Sequence, residues 1–150
     1  MKESVLKYIK IQRIAEDDIP EVVDVWYQAS IHAHGFIPDS YWKANKELMK
    51  NKYIPMSETY IAKNGEKILG FISLMDDYLA ALFVRPELQG RGVGSSLLNY
   101  TKNIRNSLKL KVFCKNEKSI EFYKSRGFSV SSESKDKETE ENEFVMQWHE

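Results

Sequence analysis

The residues most able to do chemistry form a glycine-rich segment in the middle of the chain. Three glycines are crowded into the five residues 90–94, after an apolar run that ends at Val84. Glycine lets a backbone turn sharply and approach a ligand closely. The free N–H groups at the start of the helix predicted from Val93, together with the helix dipole, favour an anion. The segment therefore predicts a phosphate or pyrophosphate site, to which Arg91 can add a charge-assisted contact.

Other phosphate-binding motifs fit this segment less well. It has no Gly-Lys-Ser/Thr ending, which disfavours a P-loop. The spacing from Gly90 to Gly94 is not G-x-G-x-x-G, and the unit is not N-terminal as in a typical Rossmann domain. A plain glycine-rich turn is the simpler alternative. The well-patterned strand before the glycines and the helix after them favour a binding role over that alternative.

Strand and helix patterns alternate around this segment and predict a mixed α/β domain. Strands are predicted at residues 8–14, 59–63, 67–75, 78–84, 108–113, 128–132 and 143–148. A first helix follows an N-cap at Asp17 or Asp18, and a second runs roughly over residues 39–49. A long helix carries apolar residues from Val93 to Leu108, and a short one spans residues 119–126. The polar residues 131–143 are predicted to form a long hairpin loop.

Composition restricts the class of protein. The 150 residues fit one domain spanning residues 1–150, and 22 basic residues balance 22 acidic ones. A net charge of zero gives no electrostatic case for nucleic acid or membrane binding. The segment from Met1 to Tyr8 lacks the apolar core of a signal peptide. A single cysteine, Cys114, excludes an internal disulfide, and no residue cluster has metal-ligand spacing, so we expect a cytoplasmic protein without a metal.

Two motifs together resemble the GNAT superfamily of N-acetyltransferases. Residues 89–94, QGRGVG, match its Q/R-x-x-G-x-G/A signature, and residues 116–128, NEKSIEFYKSRGF, resemble N-x-x-(A/S)-x-x-F-Y-x-x-x-G-F. The loop around His34 and the strand before the glycines are also similar to small bacterial acetyltransferases of the YjaB and YiaC type. The resemblance implies an α/β (α+β) domain with a central, mostly antiparallel, twisted sheet. Strands four and five would splay apart, helices would cover both faces, and the C-terminal strand would close the sheet.

The resemblance also implies an enzyme that moves the acetyl group of acetyl-CoA to a primary amine of a small molecule or protein. The pantetheine arm would pair with the backbone of Leu82, Phe83 and Val84. The pyrophosphate would lie on the amides of Gln89, Gly90, Arg91, Gly92, Val93, Gly94 and Ser95. Asn116 would cap its helix and contact the cofactor arm. Tyr123 would protonate the departing CoA thiolate as a general acid, although a core tyrosine is the structural alternative.

The amine must lose a proton before it reacts, because a lysine ammonium has a pKa of about 10.4. The candidate bases are His34, Asp76, Asp77, Glu133 and Glu143. His34 has an ordinary pKa in the useful range and lies in the loop where the family often builds its acceptor site.

Several questions stay open at this point, among them the function, the acceptor and the oligomeric state. The alternative is a non-catalytic acyl-CoA-binding sensor module on the same fold, although a pure binder would not need the hydroxyl of Tyr123. The lysines on the strand before Asn116 disfavour the peptide N-terminal activity of RimI-type relatives. A homodimer contact through residues 144–148 is a further possibility, and the acceptor amine is undefined.

Overall fold

The computed structural model describes residues 8–150, whose strands form one seven-stranded sheet. The strands are β1 (Lys10–Arg13), β2 (Glu58–Asn64), β3 (Lys67–Met75), β4 (Tyr78–Val84), β5 (Ser107–Phe113), β6 (Ser129–Lys135) and β7 (Asn142–His149). The α-helices are α1 (Ile19–Ala33), α2 (Asp39–Ala44), α3 (Lys46–Leu48), α4 (Ile54–Met56), α5 (Val93–Lys102) and α6 (Glu117–Ser125). Residues 1–7 lie outside the described range. They make up most of the segment from Met1 to Tyr8, which was predicted not to be a signal peptide.

The sheet parts in its middle, between β4 and β5. Its strand order is β1-β2-β3-β4-β5-β7-β6, and all neighbours are antiparallel except β4 and β5. Those two strands are parallel and share one registered pair, Tyr78 with Lys109. An extra residue, Ala80, interrupts the pairing of β4 with Ser73 and Leu74 of β3, and such bulges bend and twist a strand. The mostly antiparallel sheet with splayed strands four and five is therefore confirmed.

A hydrophobic core lies on each face of the sheet. On the first face, Leu97 and Leu98 of α5 and Tyr123 of α6 pack in one cluster with β3 and β5. On the second face, Val25 and Trp26 of α1 pack in a separate cluster with residues of β2 and β3. The helices thus cover both faces, as expected. Burial of their apolar side chains against the strands holds the two halves of the sheet in place on either side of the gap between β4 and β5.

Alternation along β5 determines which side chains reach the second face near the parting. Leu108, Leu110 and Val112 are buried in the first-face cluster. Since successive side chains of a strand point to opposite faces, Lys111 and Phe113 point to the second face. Glu143 of β7 is registered opposite Phe113 and therefore lies on that second face too.

The long helix predicted from Val93 to Leu108 is wrong at its C-terminal end. Helix α5 ends at Lys102, Ile104 is 39% exposed, and Leu108 belongs to β5, where it is registered with Trp148. The apolar spacing continues past the helix by coincidence. Leu108 reaches the same core as α5, but it does so from strand β5, which pairs with β7.

Two expectations about the C-terminal hairpin are also wrong. Strand β6 continues to Lys135 and β7 begins at Asn142, so the loop covers only residues 136–141. Every residue of β6 is exposed, which removes the hydrophobic alternation that would have revealed a strand. The C-terminal strand does not close the sheet, because β7 lies between β5 and β6. Both of its backbone edges are paired, so they are not free for a homodimer contact.

The N-terminal elements differ from the prediction in their bounds. The first strand spans Lys10–Arg13 rather than residues 8–14. Asp18 occupies the N-cap position of α1, but its carboxylate accepts a hydrogen bond from the Ala15 N–H at 3.0 Å instead of capping the helix. The second helix is broken at Asn45 and continues through α3, a π-helical turn and α4 to residue 56. This longer segment walls the second face beside β4.

Replacing Gly70 with alanine should destabilise the protein. Gly70 of β3 pairs with Val84, and a Cβ on Gly70 would lie 2.6 Å from the carbonyl oxygen of Phe83, a backbone atom that cannot rotate away. We expect Gly70→Ala to lower the free energy of unfolding in urea by about 1–3 kcal/mol. Gly35→Ala is the matched control, since a Cβ there has no neighbour within 4 Å. Equal stability of the two variants would contradict the close packing of β3 on β4.

Candidate active site

Two clefts meet at the parting of β4 and β5. The first, of about 910 Å³, lies along the glycine-rich segment and the start of α6. The second, of about 270 Å³, lies on the second face, between α2 and the floor formed by β5 and β7. Both clefts are lined by Leu82, Phe83, Asn116, Ser119 and Tyr123. A molecule in the first cleft can therefore meet a molecule in the second at Tyr123.

The glycine-rich segment lines the first cleft as predicted for most of its residues. Those that do so are Gln89, Gly90, Gly92, Gly94 and Ser95. Gly92, at the N-cap of α5, has a φ of 92°, a conformation that favours glycine over residues with a side chain. Within the described residues, no side chain caps α5, so its first N–H groups are available to an anion. Arg91 does not line this cleft, and Val93 is buried in the core.

Sequence reasoning missed the basic side chains of the first cleft, which are Lys115, Lys118 and Arg126. The Arg126 guanidinium donates a hydrogen bond to the Ser95 hydroxyl at the start of α5 and lies 4.3 Å from the centre of the Phe122 ring. Arg126 falls at a variable position of the second motif. Its helical spacing of four from Phe122 was the signal that could have found it. The positive wall suits a phosphate.

Asn116 holds two elements together at the junction of the clefts. Its Oδ1 accepts a hydrogen bond from the Ser119 N–H at 3.2 Å, which caps α6 as expected. The backbone N–H can bond only to the amide oxygen, so the Asn116 NH₂ group faces His34. That NH₂ donates to His34 Nε2, 3.2 Å away. The imidazole is therefore neutral, with its proton on Nδ1.

His34 lies deep in the protein. It is 6% exposed, stacks on Trp42 with ring centres 5.2 Å apart, and touches the edge of Phe113 at the same distance. Burial lowers the pKa of His34 to about 4, and an interaction with the Ser30 backbone opposes this shift in part. Low basicity and an occupied Nε2 lone pair both count against the predicted role as general base. The geometry suits His34 to holding Asn116 in place.

Tyr123 combines the two roles weighed for it from the sequence. Its ring packs edge-on against Phe122 and Phe128, at 5.3 Å in both cases, and it belongs to the first-face core. Tyr123 also lines both clefts, so it reaches the place where they meet. Burial raises the pKa of Tyr123 well above its usual value. Its phenol therefore stays protonated at neutral pH.

The structure separates the four carboxylates considered as bases. Asp76 and Asp77 lie in the β3–β4 turn and line neither cleft. Glu133 is exposed on β6, opposite Phe144 and hence on the first face. Glu143 alone of the four lines the second cleft. Burial and then the charge of Asp136 raise the pKa of Glu143, while Lys111 opposes them.

Other chemistries receive little support from residues 8–150. Within this range, no group of three or more His, Cys, Asp or Glu residues is placed to hold a metal ion. Burial, followed by the charges of Glu133 and Glu143, raises the pKa of the Cys114 thiol, which disfavours a nucleophilic thiolate. None of the described helices has the length and apolar character needed to cross a membrane.

Known proteins share this sequence pattern and this fold. A family model described as an acetyltransferase (GNAT) domain matches residues 55–130. The chain is 30% identical over 139 residues to the peptidyl-lysine N-acetyltransferase YiaC of Escherichia coli, covering 92% of this chain and 95% of YiaC. The solution structure of apo YjaB from E. coli matches with a TM-score of 0.83 and 25% identity, covering 93% of this chain and 97% of YjaB. The resemblance to the YjaB and YiaC type is thus confirmed.

A solved complex has the same fold. The crystal structure of the PaiA N-acetyltransferase from Thermoplasma acidophilum in complex with coenzyme A matches with a TM-score of 0.81 at 19% identity. The match covers 95% of this chain and 99% of PaiA. At this identity the likeness concerns the fold alone.

Acidification should destabilise the protein through His34. Unfolded His34 binds a proton near pH 6.5, whereas folded His34 does so only near pH 4. Between these values the unfolded state binds more protons, so the free energy of unfolding falls as the pH falls. The difference corresponds to about 3 kcal/mol between pH 7 and pH 4. Urea denaturation at both pH values should show this extra loss in the wild type and not in His34→Gln, which keeps an acceptor for Asn116. The same pH dependence in both proteins would contradict a neutral, buried His34.

Proposed function

Because the chain belongs to the GNAT family of acetyl-CoA-dependent N-acetyltransferases, we propose that it acetylates lysine side chains of peptides or proteins. One observation carries the proposal: two clefts of different charge meet at Tyr123, in the parting of β4 and β5. The first has a positive wall suited to a phosphate-bearing donor. The second is smaller and contains the carboxylates of Asp136 and Glu143. The relative YiaC is named a peptidyl-lysine N-acetyltransferase.

Acetyl-CoA is proposed to bind along the first cleft. Strand β4 loses its partner where β5 departs, so backbone groups of residues 82–84 can pair with the amides of the pantetheine arm. The pyrophosphate then lies on the N–H groups at the start of α5, near Arg126. This position brings the thioester to Asn116 and Tyr123, at the entrance to the second cleft.

The proposed transfer is a direct attack. The amine nitrogen forms a bond to the thioester carbonyl carbon, and the carbon–sulfur bond of the thioester breaks. The CoA sulfur leaves with the electron pair and takes a proton from the Tyr123 hydroxyl. The raised pKa of Tyr123 means that the phenol still carries its proton when the sulfur leaves.

The second cleft is proposed to admit a single extended side chain. Tyr41 of α2 and Asp136 of the β6–β7 loop both line this cleft, and the Tyr41 hydroxyl donates to Glu138 of that loop at 2.7 Å. A cleft of about 270 Å³ suits the extended alkyl chain of a lysine better than a bulky amine. Two carboxylates, Asp136 and Glu143, outnumber the one lysine of the lining, Lys111, and the remaining negative charge attracts the lysine ammonium. The proposal includes a cytoplasmic location, in keeping with one cysteine in the chain.

Binding and turnover test the proposal separately. Isothermal titration with acetyl-CoA, with desulfo-CoA as a control, should show saturable binding of both. A lysine-containing peptide should then release free CoA thiol from acetyl-CoA. Binding without release from any amine would favour the acyl-CoA sensor instead. No binding of any CoA species would overturn the enzyme proposal.

Removing the hydroxyl of Tyr123 should affect chemistry and leave binding intact. We expect Tyr123→Phe to keep the acetyl-CoA dissociation constant, since the ring remains in the core, and to lower kcat about tenfold or more. Thiol release under saturating acetyl-CoA measures this. Tyr100→Phe is the matched control, because Tyr100 lies outside both clefts with its ring against Tyr60. Unchanged turnover of Tyr123→Phe at every pH would remove Tyr123 from the mechanism.

A further inference from the structure

The floor of the second cleft presents one carboxylate close to the parting of the strands. Glu143 lines this cleft and is registered opposite Phe113, the last residue of β5. Phe113 packs against His34, and His34 accepts the hydrogen bond from Asn116 at the junction with the first cleft. A short chain of contacts therefore connects Glu143 to the place where the thioester is proposed to lie.

Glu143 differs from the neighbouring acids in having no partner. Asp136 accepts hydrogen bonds from the N–H and the hydroxyl of Thr139, at 3.0 and 2.6 Å, and Glu138 accepts one from Tyr41. Within residues 8–150, the Glu143 carboxylate makes no hydrogen bond and no ion pair. A half-buried charge without a partner is costly to a fold. The position of the Glu143 carboxylate is explained if a positively charged ligand forms an ion pair with it.

The groups that interact with Glu143 include the Cys114 thiol just after β5, together with groups of β4, β5 and the β6–β7 loop. Tyr78 of β4 lies across the cleft, and burial followed by the charge of Glu143 raises the pKa of this phenol. Lys111 of β5 is the nearby positive group, while Asp136 of the β6–β7 loop is the nearby negative one. Because burial and Asp136 outweigh Lys111, the pKa of Glu143 is raised above its usual value. The carboxylate is thus a better proton acceptor than an exposed glutamate.

We propose that Glu143 binds the ammonium of the acceptor and takes its first proton, acting as the general base. This inference rests on the proposed function. An ammonium nitrogen loses two protons when it becomes an amide. One passes to Glu143 and on to solvent, which frees the lone pair that attacks the thioester carbon. The other replaces the proton that Tyr123 gives to the CoA sulfur. Atoms and charge then balance: ammonium and acetyl-CoA yield amide, CoA thiol and one free proton.

The pH dependence of Glu143→Gln distinguishes this role from a structural one. At pH 7 only about one lysine amine in 2,500 is neutral, given a pKa of about 10.4. The wild type binds the abundant ammonium, so kcat/KM for a lysine peptide should change little between pH 7 and pH 9. Glu143→Gln can use only the lysine amine that is already neutral in solution. Since this fraction rises about tenfold per pH unit below the amine pKa, its kcat/KM should rise by the same factor. We expect a loss of about a hundredfold or more at pH 7 that shrinks toward pH 10.

Two further variants and one binding measurement control the experiment. Glu143→Asp keeps a carboxylate and should recover the flat pH profile, at a reduced rate. Glu133→Gln removes a carboxylate from the adjacent strand on the opposite face, and its profile should match the wild type. The dissociation constant for acetyl-CoA should be the same in all of these proteins, which shows that each folds around an intact first cleft.

The outcomes separate this inference from the proposed function. An active wild type with an indistinguishable Glu143→Gln would overturn the role of Glu143 alone. So would a Glu143→Gln that is slower by the same factor at every pH, since that is the result of a structural change. A wild type that binds acetyl-CoA and acetylates no lysine peptide would overturn the proposed function, and this role with it.

Discussion

The separation of β4 from β5 is the constraint on which the rest of the molecule depends. Two parallel strands that share one registered pair leave backbone groups without a sheet partner. Such an arrangement is stable only if other forces hold the strands in place. The bulge at Ala80 bends β4, and the helices packed on each face keep the two halves of the sheet at a fixed distance. The unpaired edge is thereby available to a ligand that supplies the missing hydrogen bonds.

Asn116 connects that opening to the helices around it. One side-chain amide caps α6 through its oxygen and holds His34 through its nitrogen. The first bond sets where α6 begins, and α6 in turn carries Tyr123 to the junction of the clefts. The second ties the loop after α1 to the end of β5. The same residue therefore aligns the first cleft with the second.

Local patterns predicted the parts of this site that depend on local backbone shape. The glycines around Gly92, the cap at Asn116 and the spacing to Tyr123 are all readable within short windows of sequence. The partnership of His34 with Asn116 spans 82 residues, and no periodicity reports it. The sequence also could not predict that the Glu143 carboxylate lacks a hydrogen-bond partner, because this depends on which groups the neighbouring acids bind. Helix α5 was predicted too long because apolar spacing cannot tell a helix that continues from a strand that enters the same core.

The hydrogen bond between Tyr41 and Glu138 has a consequence for the proposed acetylation of lysines. It joins residues 97 positions apart and connects α2, which lines the second cleft, to the β6–β7 loop. A hydrogen bond of this kind contributes about 0.5–1.5 kcal/mol where solvent competes for it, so thermal motion opens this exposed bond often. A lysine on a flexible tail can enter by its tip alone, whereas a lysine on a rigid, flat surface brings its neighbours against this contact and must displace it. Local flexibility of the target chain, more than its sequence, would then decide which sites this enzyme modifies fastest.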